Sequence, residues 1–157
     1  MKRPPATSRS AAAISIRAAE ESDLPAIIDL DREVTGLAKA EYWHDIYARS
    51  GAPGGGQQIF LVAEVAGRLE GFVVGEIRAW EFGSPPCGWV FAIQVRPKRR
   101  LAGVATHLFE AIGACFRRAG VDRLRTMVAR DNTVILSFFR SQGMMAGPFV
   151  ELETTLV

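Results

Sequence analysis

A basic loop between an apolar strand and an amphipathic helix carries the clearest chemical signal in this sequence. Residues 89–95 are apolar and rich in β-branched and aromatic types, which predicts a buried strand. From Val104 onward, apolar residues recur at helical spacing, which predicts an amphipathic helix. The first N–H groups of a helix lack internal partners, and the helix dipole adds about half a positive charge there. A strand, a basic loop and a helix in this order predict a phosphate site.

The loop itself favours an anion in two ways. Lys98, Arg99 and Arg100 supply positive charge, and Gly103 lets an anion come close to the backbone where the helix begins. The loop has neither the Walker pattern nor the GxGxxG pattern of dinucleotide-binding proteins. Residues 100–105 instead fit a pattern of Gln or Arg, two residues, Gly, one residue, then Gly or Ala. A strand-to-helix turn that merely exposes arginines is the alternative explanation for this pattern alone.

Hydrophobic periodicity and turn residues predict a single α+β domain. Strands are expected over residues 14–17, 58–65, 69–82, 89–95, 124–129 and 149–156, and helices over 22–36, 39–49, 104–120 and 131–143. The order β-α-α-β-β-β-α-β-α-β predicts a mixed central sheet flanked by helices, because parallel strands need a crossover connection. Residues 1–13 are expected to form a flexible leader to a domain over residues 14–157, and the glycine-rich residues 51–56 a mobile loop.

A second motif lies further along the chain, over residues 132–144. Asn132, Phe138 and Gly143 stand in register with the pattern N-x-x-A-x-x-F-Y-x-x-x-G-F. Together with residues 100–105 and the order of elements, this makes the chain resemble the GNAT superfamily of N-acetyltransferases over about residues 14–157. The resemblance implies direct transfer of an acetyl group from acetyl-CoA, without a metal, to a primary amine of a small molecule, a polyamine, or a protein lysine or N-terminus.

The resemblance also implies which residues hold coenzyme A. In this family the sheet splays beside the central strand, so the backbone of Ile93 and Val95 would bind the pantetheine arm. Loop amides and arginines would hold the pyrophosphate, Thr106 would add a hydroxyl, and Asn132 would contact the pantetheine amides. The residues assigned to coenzyme A in this way are Ile93, Gln94, Val95, Arg99, Arg100, Leu101, Ala102, Gly103, Val104, Ala105, Thr106, Asn132 and Phe139.

One residue departs from the family pattern. Phe139 stands where the motif has a tyrosine, whose hydroxyl protonates the departing thiolate in many family members. Phenylalanine cannot donate a proton, so the acid must come from solvent, from the substrate ammonium, or from Ser137, Tyr42 or Tyr47. General acid catalysis is typically worth about 10²–10⁴-fold. Phe139 therefore supports a second hypothesis, in which the domain is a catalytically weak acyl-CoA sensor or regulatory module.

Acetylation of an amine also requires a base, because an alkyl amine is mostly protonated at neutral pH. Glu76 is the first candidate, since it lies among apolar residues in the middle of a predicted strand, where a carboxylate needs a partner or a function. A structural ion pair with Arg78 is the alternative for Glu76. Glu81 is the second candidate, expected on the opposite face of the same strand, and Glu64 is the third.

The acceptor pocket is predicted only in outline. Asp31 and Glu33 on the first helix, and Glu41 on the second, are candidates for its border, although solvated helix carboxylates are the favoured explanation for them. Aromatic residues cluster in the same part of the sequence and would suit an amine with an apolar body, but core packing accounts for several of them. These aromatic residues are Tyr42, Trp43, Tyr47, Trp80, Phe82 and Trp89.

Composition excludes several classes of protein. With 48% apolar and 23% charged residues, the chain is expected to be globular. A net charge of +2 and a single short basic cluster argue against a nucleic-acid adaptor, and no apolar run is long enough to span a bilayer. The cysteines and histidines lack the spacing of metal ligands. We expect a cytoplasmic protein without metal, nucleic-acid or membrane partners, and leave a homodimer open.

Overall fold

The computed structural model describes residues 12–50, 58–100 and 103–156. The chain divides into two compact units, Met1–Thr126 and Met127–Val157. The glycine-rich segment 51–56, Leu101, Ala102 and all but the last two residues of the expected leader lie outside the described residues. The boundary between leader and domain therefore stays a prediction.

One five-stranded sheet forms the centre of the first unit, with the strands in the order in which they follow one another along the chain. The strands are β1 (Ile14–Ala18), β2 (Gln58–Val65), β3 (Arg68–Arg78), β4 (Cys87–Val95) and β5 (Leu124–Thr126). The pairs β1–β2, β2–β3 and β3–β4 are antiparallel, whereas β4 and β5 pair in parallel. This arrangement confirms the predicted mixed sheet of an α+β fold.

Three helices cover the two faces of this sheet: α1 (Leu24–Thr35), α2 (Ala40–Arg49) and α3 (Val104–Arg118). The alternation of side chains along β2 divides the core accordingly. Phe60 and Val62 join the cluster formed with α1 and α2, and Leu61 joins the cluster formed with α3. Because both faces are covered, the central strands are apolar almost throughout.

A β-bulge interrupts β4 halfway along its length. Val90 pairs with Gly75 and Ala92 pairs with Val74, so Phe91 is an extra residue without a counterpart on β3. A bulge shifts the alternation of side chains by one residue. Phe91 and Ala92 consequently both border the α1–α2 side of the core. All later residues of β4 point to the face opposite to the one that simple alternation from Val90 predicts.

The end of β3 differs from the prediction. The strand stops at Arg78 rather than continuing to residue 82, because Trp80 and Phe82 adopt φ angles of 64° and 49°. These angles belong to the left-handed region, whereas a strand needs φ near −120° to −140°. Glu81 therefore lies on an exposed 3₁₀ turn and not on the sheet. Its predicted place on a strand face is wrong.

The second unit contains helix α4 (Thr133–Ser141). Its N-cap is Asn132, whose side-chain Oδ1 accepts a hydrogen bond of 3.2 Å from the backbone N–H of Ile135. The strand predicted over residues 149–156 is wrong, since this segment has no regular secondary structure. A strand requires a neighbouring strand to bond its backbone groups, and no described strand pairs with these residues.

An ion-pair cluster ties the start of α1 to the sheet. Arg17 on β1 donates to both carboxylate oxygens of Asp23, at 2.7 and 2.8 Å, and to Glu64 on β2 at 3.1 Å. The hydrogen bonds that Arg17 donates to Asp23 lower the pKa of Asp23, and the backbone N–H of Glu20 lowers it further against the opposing effect of burial. Ionised Asp23 therefore stabilises the folded state, while the unfolded chain binds its proton at the ordinary pKa.

We expect the free energy of unfolding to fall as the pH drops below about 4, the ordinary range of aspartate, because protonation removes the stabilising charge of Asp23. In Asp23→Asn this loss should be smaller, so the difference from wild type should shrink as the pH falls. Urea unfolding at a series of acidic pH values measures both curves. Asp29→Asn serves as the control, because Asp29 forms only an exposed pair with Arg32. Parallel curves for wild type and Asp23→Asn would contradict the assignment.

Candidate functional site

The second half of β4 has an open edge. β5 pairs with β4 only over residues 88–90, so residues 91–95 have no strand partner on that side within the described chain. Ile93, Gln94 and Val95, three of the residues assigned to coenzyme A, lie in this part of the strand. Backbone N–H and C=O groups at such an edge are available to an extended ligand.

Helix α3 opens at the end of the loop that follows β4. Gly103 occupies the N-cap position with φ 80°, and no described side chain caps this end of the helix. Among the described residues beyond its chain neighbours, a Cβ atom at Gly103 would come within 4 Å of the His107 ring only, with the nearest atom at 3.7 Å. The first turn contains no acidic residue. Its amides and the helix dipole therefore favour an anion.

Two further residues that were predicted to bind coenzyme A lie within this turn, and two precede it. Ala105 and Thr106 are half-buried in the first turn, next to the fully buried Val104, whereas Arg99 and Arg100 are exposed before it. Leu101 and Ala102 fall outside the described residues. The open edge of β4, the basic loop and the start of α3 therefore follow one another along the chain within the first unit.

Glu70 also lies in this region, although it was not among the predicted site residues. Glu70 is the extra residue of a bulge in β3 and is only 4% exposed. Its carboxylate lies 3.3 Å from Arg96 Nε and 3.7 Å from Arg99 Nε, and Arg96 also donates to Glu33 at 2.9 Å. The ion pairs of this buried carboxylate with two arginines link the basic loop to the sheet, although Glu70 Oε2 and Arg96 Nε form no hydrogen bond among the described residues. A glutamate within the apolar run 69–74 was the available signal.

Asp31 is completely buried, contrary to the interpretation of a solvated helix carboxylate. It accepts hydrogen bonds of 2.8 Å from Trp43 Nε1 and from Gln94 Nε2, and Lys39 Nζ lies 3.0 Å away. Asp31 therefore links α1 and α2 with β4. Because the carboxylate only accepts, it fixes Gln94 with the amide nitrogen toward Asp31. The amide oxygen of Gln94 is buried and has no hydrogen-bond partner among the described residues.

The candidate bases occupy three different surroundings. Glu76 is half-buried on β3 and accepts a hydrogen bond of 2.7 Å from Arg78 Nε. This is the ion pair that was predicted as the structural alternative for Glu76. Arg78 also lies over the Trp89 ring, 4.5 Å from its centroid. Glu81 lies exposed on the 3₁₀ turn, and Glu64 belongs to the Arg17 cluster. Of the three, Glu76 is the only one on β3, where it pairs with Trp89 in the half of β4 that β5 also bonds.

The remaining predicted site residues belong to the second unit. Asn132 uses its side chain to cap α4, and Phe139 is 4% exposed, with its ring 5.3 Å from that of Phe138. Ser137 is exposed on the same helix. No group of three or more His, Cys, Asp and Glu side chains in the described residues is placed to hold a metal ion. No helix of the described chain is long and apolar enough to cross a bilayer.

One curated protein matches part of this chain. L-2,4-diaminobutyric acid acetyltransferase of Nocardia farcinica is 32% identical over 87 residues, which are 55% of this chain and 44% of that protein. The chain thus matches less than half the length of this curated relative.

Solved structures share the fold. The aminoglycoside 6'-N-acetyltransferase AAC(6')-Iy in complex with CoA superposes with a TM-score of 0.80 at 19% identity, covering 94% of this chain and 97% of that one. The apo enzyme AAC(6')-IG of Acinetobacter haemolyticus gives 0.76 at 20% identity, covering 91% and 99%. The model of the acetyltransferase (GNAT) family matches residues 23–144. The chain therefore belongs to the GNAT acetyltransferase family.

Proposed function

We propose that this chain is an N-acetyltransferase that moves the acetyl group of acetyl-CoA directly to a primary amine. The observation that carries the proposal is the pairing of an open strand edge at residues 91–95 with an uncapped helix start at Gly103. An extended amide-containing arm ending in a diphosphate matches both parts at once. The membership of the chain in the GNAT family supports the same ligand.

The residues present fit the coenzyme. The backbone of Ile93 and Val95 would bind the arm, while the amides of the loop and of the first turn of α3 would hold the diphosphate. Arg99 and Arg100 would add charge from the exposed side of the loop. When bound, acetyl-CoA supplies the activated acetyl thioester. Positioning of the amine beside the thioester carbonyl, and polarisation of that carbonyl by backbone N–H groups, would provide most of the acceleration.

Glu76→Gln tests the assignment of the base. If Glu76 accepts the proton of the attacking amine, kcat should fall by about 10²–10⁴-fold, the usual contribution of general acid–base catalysis. The affinity for acetyl-CoA should stay unchanged. Steady-state kinetics that follow the release of free thiol, together with a binding titration of acetyl-CoA, measure both quantities.

Arg78→Gln provides the matched control for this measurement. It breaks the same ion pair but leaves the carboxylate of Glu76 in place. A catalytic role predicts that only Glu76→Gln loses turnover. If both variants keep normal turnover, the pair is structural and the base assignment fails. Glu81→Gln, on the exposed turn, then tests the second candidate.

Phe139 supports one alternative, a domain that binds acyl-CoA but turns it over weakly. In the sequence motif it stands where the family has a tyrosine, and without a hydroxyl it offers no proton to a departing thiolate. The release of free thiol with a broad panel of amines separates the two functions. Saturable binding of acetyl-CoA without turnover across the panel would favour the sensor.

A small-molecule amine is the acceptor class we propose first. The relatives support it, because their names describe acetylation of diaminobutyric acid and of aminoglycosides. The panel should therefore contain a diamino acid, a polyamine, an aminosugar and a lysine peptide. Preference for the lysine peptide would contradict this proposal. A cytoplasmic location stays a prediction.

A further inference from the structure

Three side chains form a row across neighbouring strands, here called the cross-strand row. Glu76 on β3 pairs with Trp89 on β4, and Trp89 pairs in turn with Arg125 on β5. Directly opposed residues of neighbouring strands carry their side chains on the same face of the sheet. The row crosses β4 just before residue 91, where the edge of this strand opens. A carboxylate, an aromatic ring and a guanidinium therefore stand side by side next to the edge proposed for the pantetheine arm.

The cross-strand row lies on the face of the sheet opposite to α3. A Cβ atom at Gly75 or Gly88, each next to a member of the row, would meet the ring of Phe116 on α3. Leu124 packs against the same core cluster. Alternate residues of a strand face opposite ways, so the row faces away from α3. All three of its residues are half-buried, and each retains a surface that a small molecule can contact.

Positive charge exceeds negative charge around this row. Glu76 and Arg125 lie two strands apart, which separates their backbones by about 10 Å. Arg78 adds a second guanidinium: its Nε donates to Glu76 at 2.7 Å, and the group lies 4.5 Å from the centroid of the Trp89 ring. Two arginines against one glutamate leave a positive charge in excess. This balance favours a ligand that carries a carboxylate and disfavours a polycation.

Two buried residues hold Arg125 in place. Its Nη1 donates to Ser84 Oγ at 2.7 Å and to Cys87 Sγ at 3.5 Å. A guanidinium carries five N–H donors in a planar fork, which matches the two oxygens of a carboxylate. Arg125 therefore has the geometry of a positioned carboxylate receptor at one end of the row.

We propose, on the basis of the proposed acetyl transfer, that the acceptor is an amino acid with a second primary amine on its side chain. Its carboxylate binds Arg125, its methylene chain lies over the Trp89 ring, and its side-chain amine reaches Glu76. The α-amine does not take this place, because it is attached next to the carboxylate and lies at the Arg125 end of the row.

Transfer in this arrangement is balanced in atoms and charge. The neutral side-chain amine nitrogen bonds to the acetyl carbon while the C–S bond of the thioester breaks. Glu76 accepts the proton that the amine releases, and the departing thiolate takes up one proton to leave as free thiol. The product is an amino acid acetylated on its side-chain nitrogen.

Paired acceptors test the need for the carboxylate with the wild-type chain. Diaminobutyric acid, ornithine and lysine are each compared with their α-amide, which keeps the size and both amines but lacks the negative charge. For the preferred amino acid, kcat/KM from the release of free thiol should exceed that of its amide by about 10–100-fold, the range that a hydrogen bond to a charged group contributes. Mass spectrometry of the product should place the acetyl group on the side-chain nitrogen.

Arg125→Gln identifies the residue that binds the carboxylate. The variant should raise KM for the preferred amino acid by about 10–100-fold, with kcat nearly unchanged, and should leave the kinetics of the amide as in wild type. A merely structural role would affect both acceptors alike. Arg32→Gln is the matched control, because it removes the same charge from an exposed position on α1. Circular dichroism verifies the folding of both variants, and the comparison of acid with amide in wild type does not depend on them.

The outcomes separate this inference from the proposed function. Equal use of acid and amide by wild type, acetylation of the α-amine, or an equal loss for both acceptors in Arg125→Gln would overturn the inference and leave acetyl transfer in place. Release of no free thiol with any member of the panel would contradict the proposed function and the inference together.

Discussion

Gly103→Asp should weaken the binding of acetyl-CoA by about a hundredfold. The substitution places a carboxylate at the start of α3, where the proposed diphosphate would lie. Two unit charges about 5 Å apart, at an effective dielectric constant of about 20, repel each other by about 3 kcal/mol. This energy corresponds to roughly two orders of magnitude in the dissociation constant. Calorimetric titration with acetyl-CoA measures the loss directly.

Gly103→Asn is the control that separates charge from backbone strain. Gly103 has φ 80°, which strains any side chain, but asparagine and aspartate tolerate this region better than other residues. Both can also cap a helix. The two variants should therefore have similar thermal stability, while only the aspartate repels the ligand. Equal affinities of the two variants for acetyl-CoA would exclude the helix start as the diphosphate site.

Asp31→Ala should lower the free energy of unfolding by about 3–5 kcal/mol, the usual cost of removing one partner from a buried ion pair. The carboxylate is fully buried, and its loss would leave Trp43 Nε1, Gln94 Nε2 and Lys39 Nζ without their common acceptor. Urea unfolding at neutral pH gives the value.

Asp29→Ala is the control for this second effect. Asp29 lies on the same helix, and its pair with Arg32 is exposed on both sides, at 64% and 62%. Exposed pairs contribute about 0–1 kcal/mol, so this variant should unfold close to wild type. A loss as small for Asp31→Ala as for Asp29→Ala would mean that the helices do not depend on the buried carboxylate.

The two largest expected effects concern Gly103 at the start of α3 and Asp31 on α1, which bonds Gln94 on β4. Asp31 bonds the side chain of Gln94 on the α1–α2 face of the sheet. The backbone of residues 91–95 has no strand partner on the β5 side among the described residues. Glu70 on β3 forms ion pairs with Arg96 and Arg99 of the loop that follows β4. Two buried carboxylates thus position the strand edge and the basic loop, which supports a rigid site for an anionic ligand.

Local sequence signals were sufficient for most of the elements and for the ligand class. The apolar run that became β4, the helical spacing after Val104 and the left-handed glycine at its start all follow from short-range preferences. Gly36 ends α1 in the left-handed conformation, as a helix-stop glycine should. The motifs at residues 100–105 and 132–144 indicated the family because they depend on neighbouring residues in the chain.

Only the tertiary structure decided which side chains meet and which remain unpaired. The bulge at Phe91 shifts the alternation of side chains by one residue and so turns Gln94 toward Asp31. No residue type in β4 predicts this bulge. Asp31 is buried because donors from distant elements surround it, whereas its charged neighbours Arg32 and Glu33 suggest solvent. Residues 149–156 have the alternation of a strand, yet strand formation depends on a neighbouring strand. Periodicity along a chain describes only its own faces, and long-range contacts determine what those faces touch.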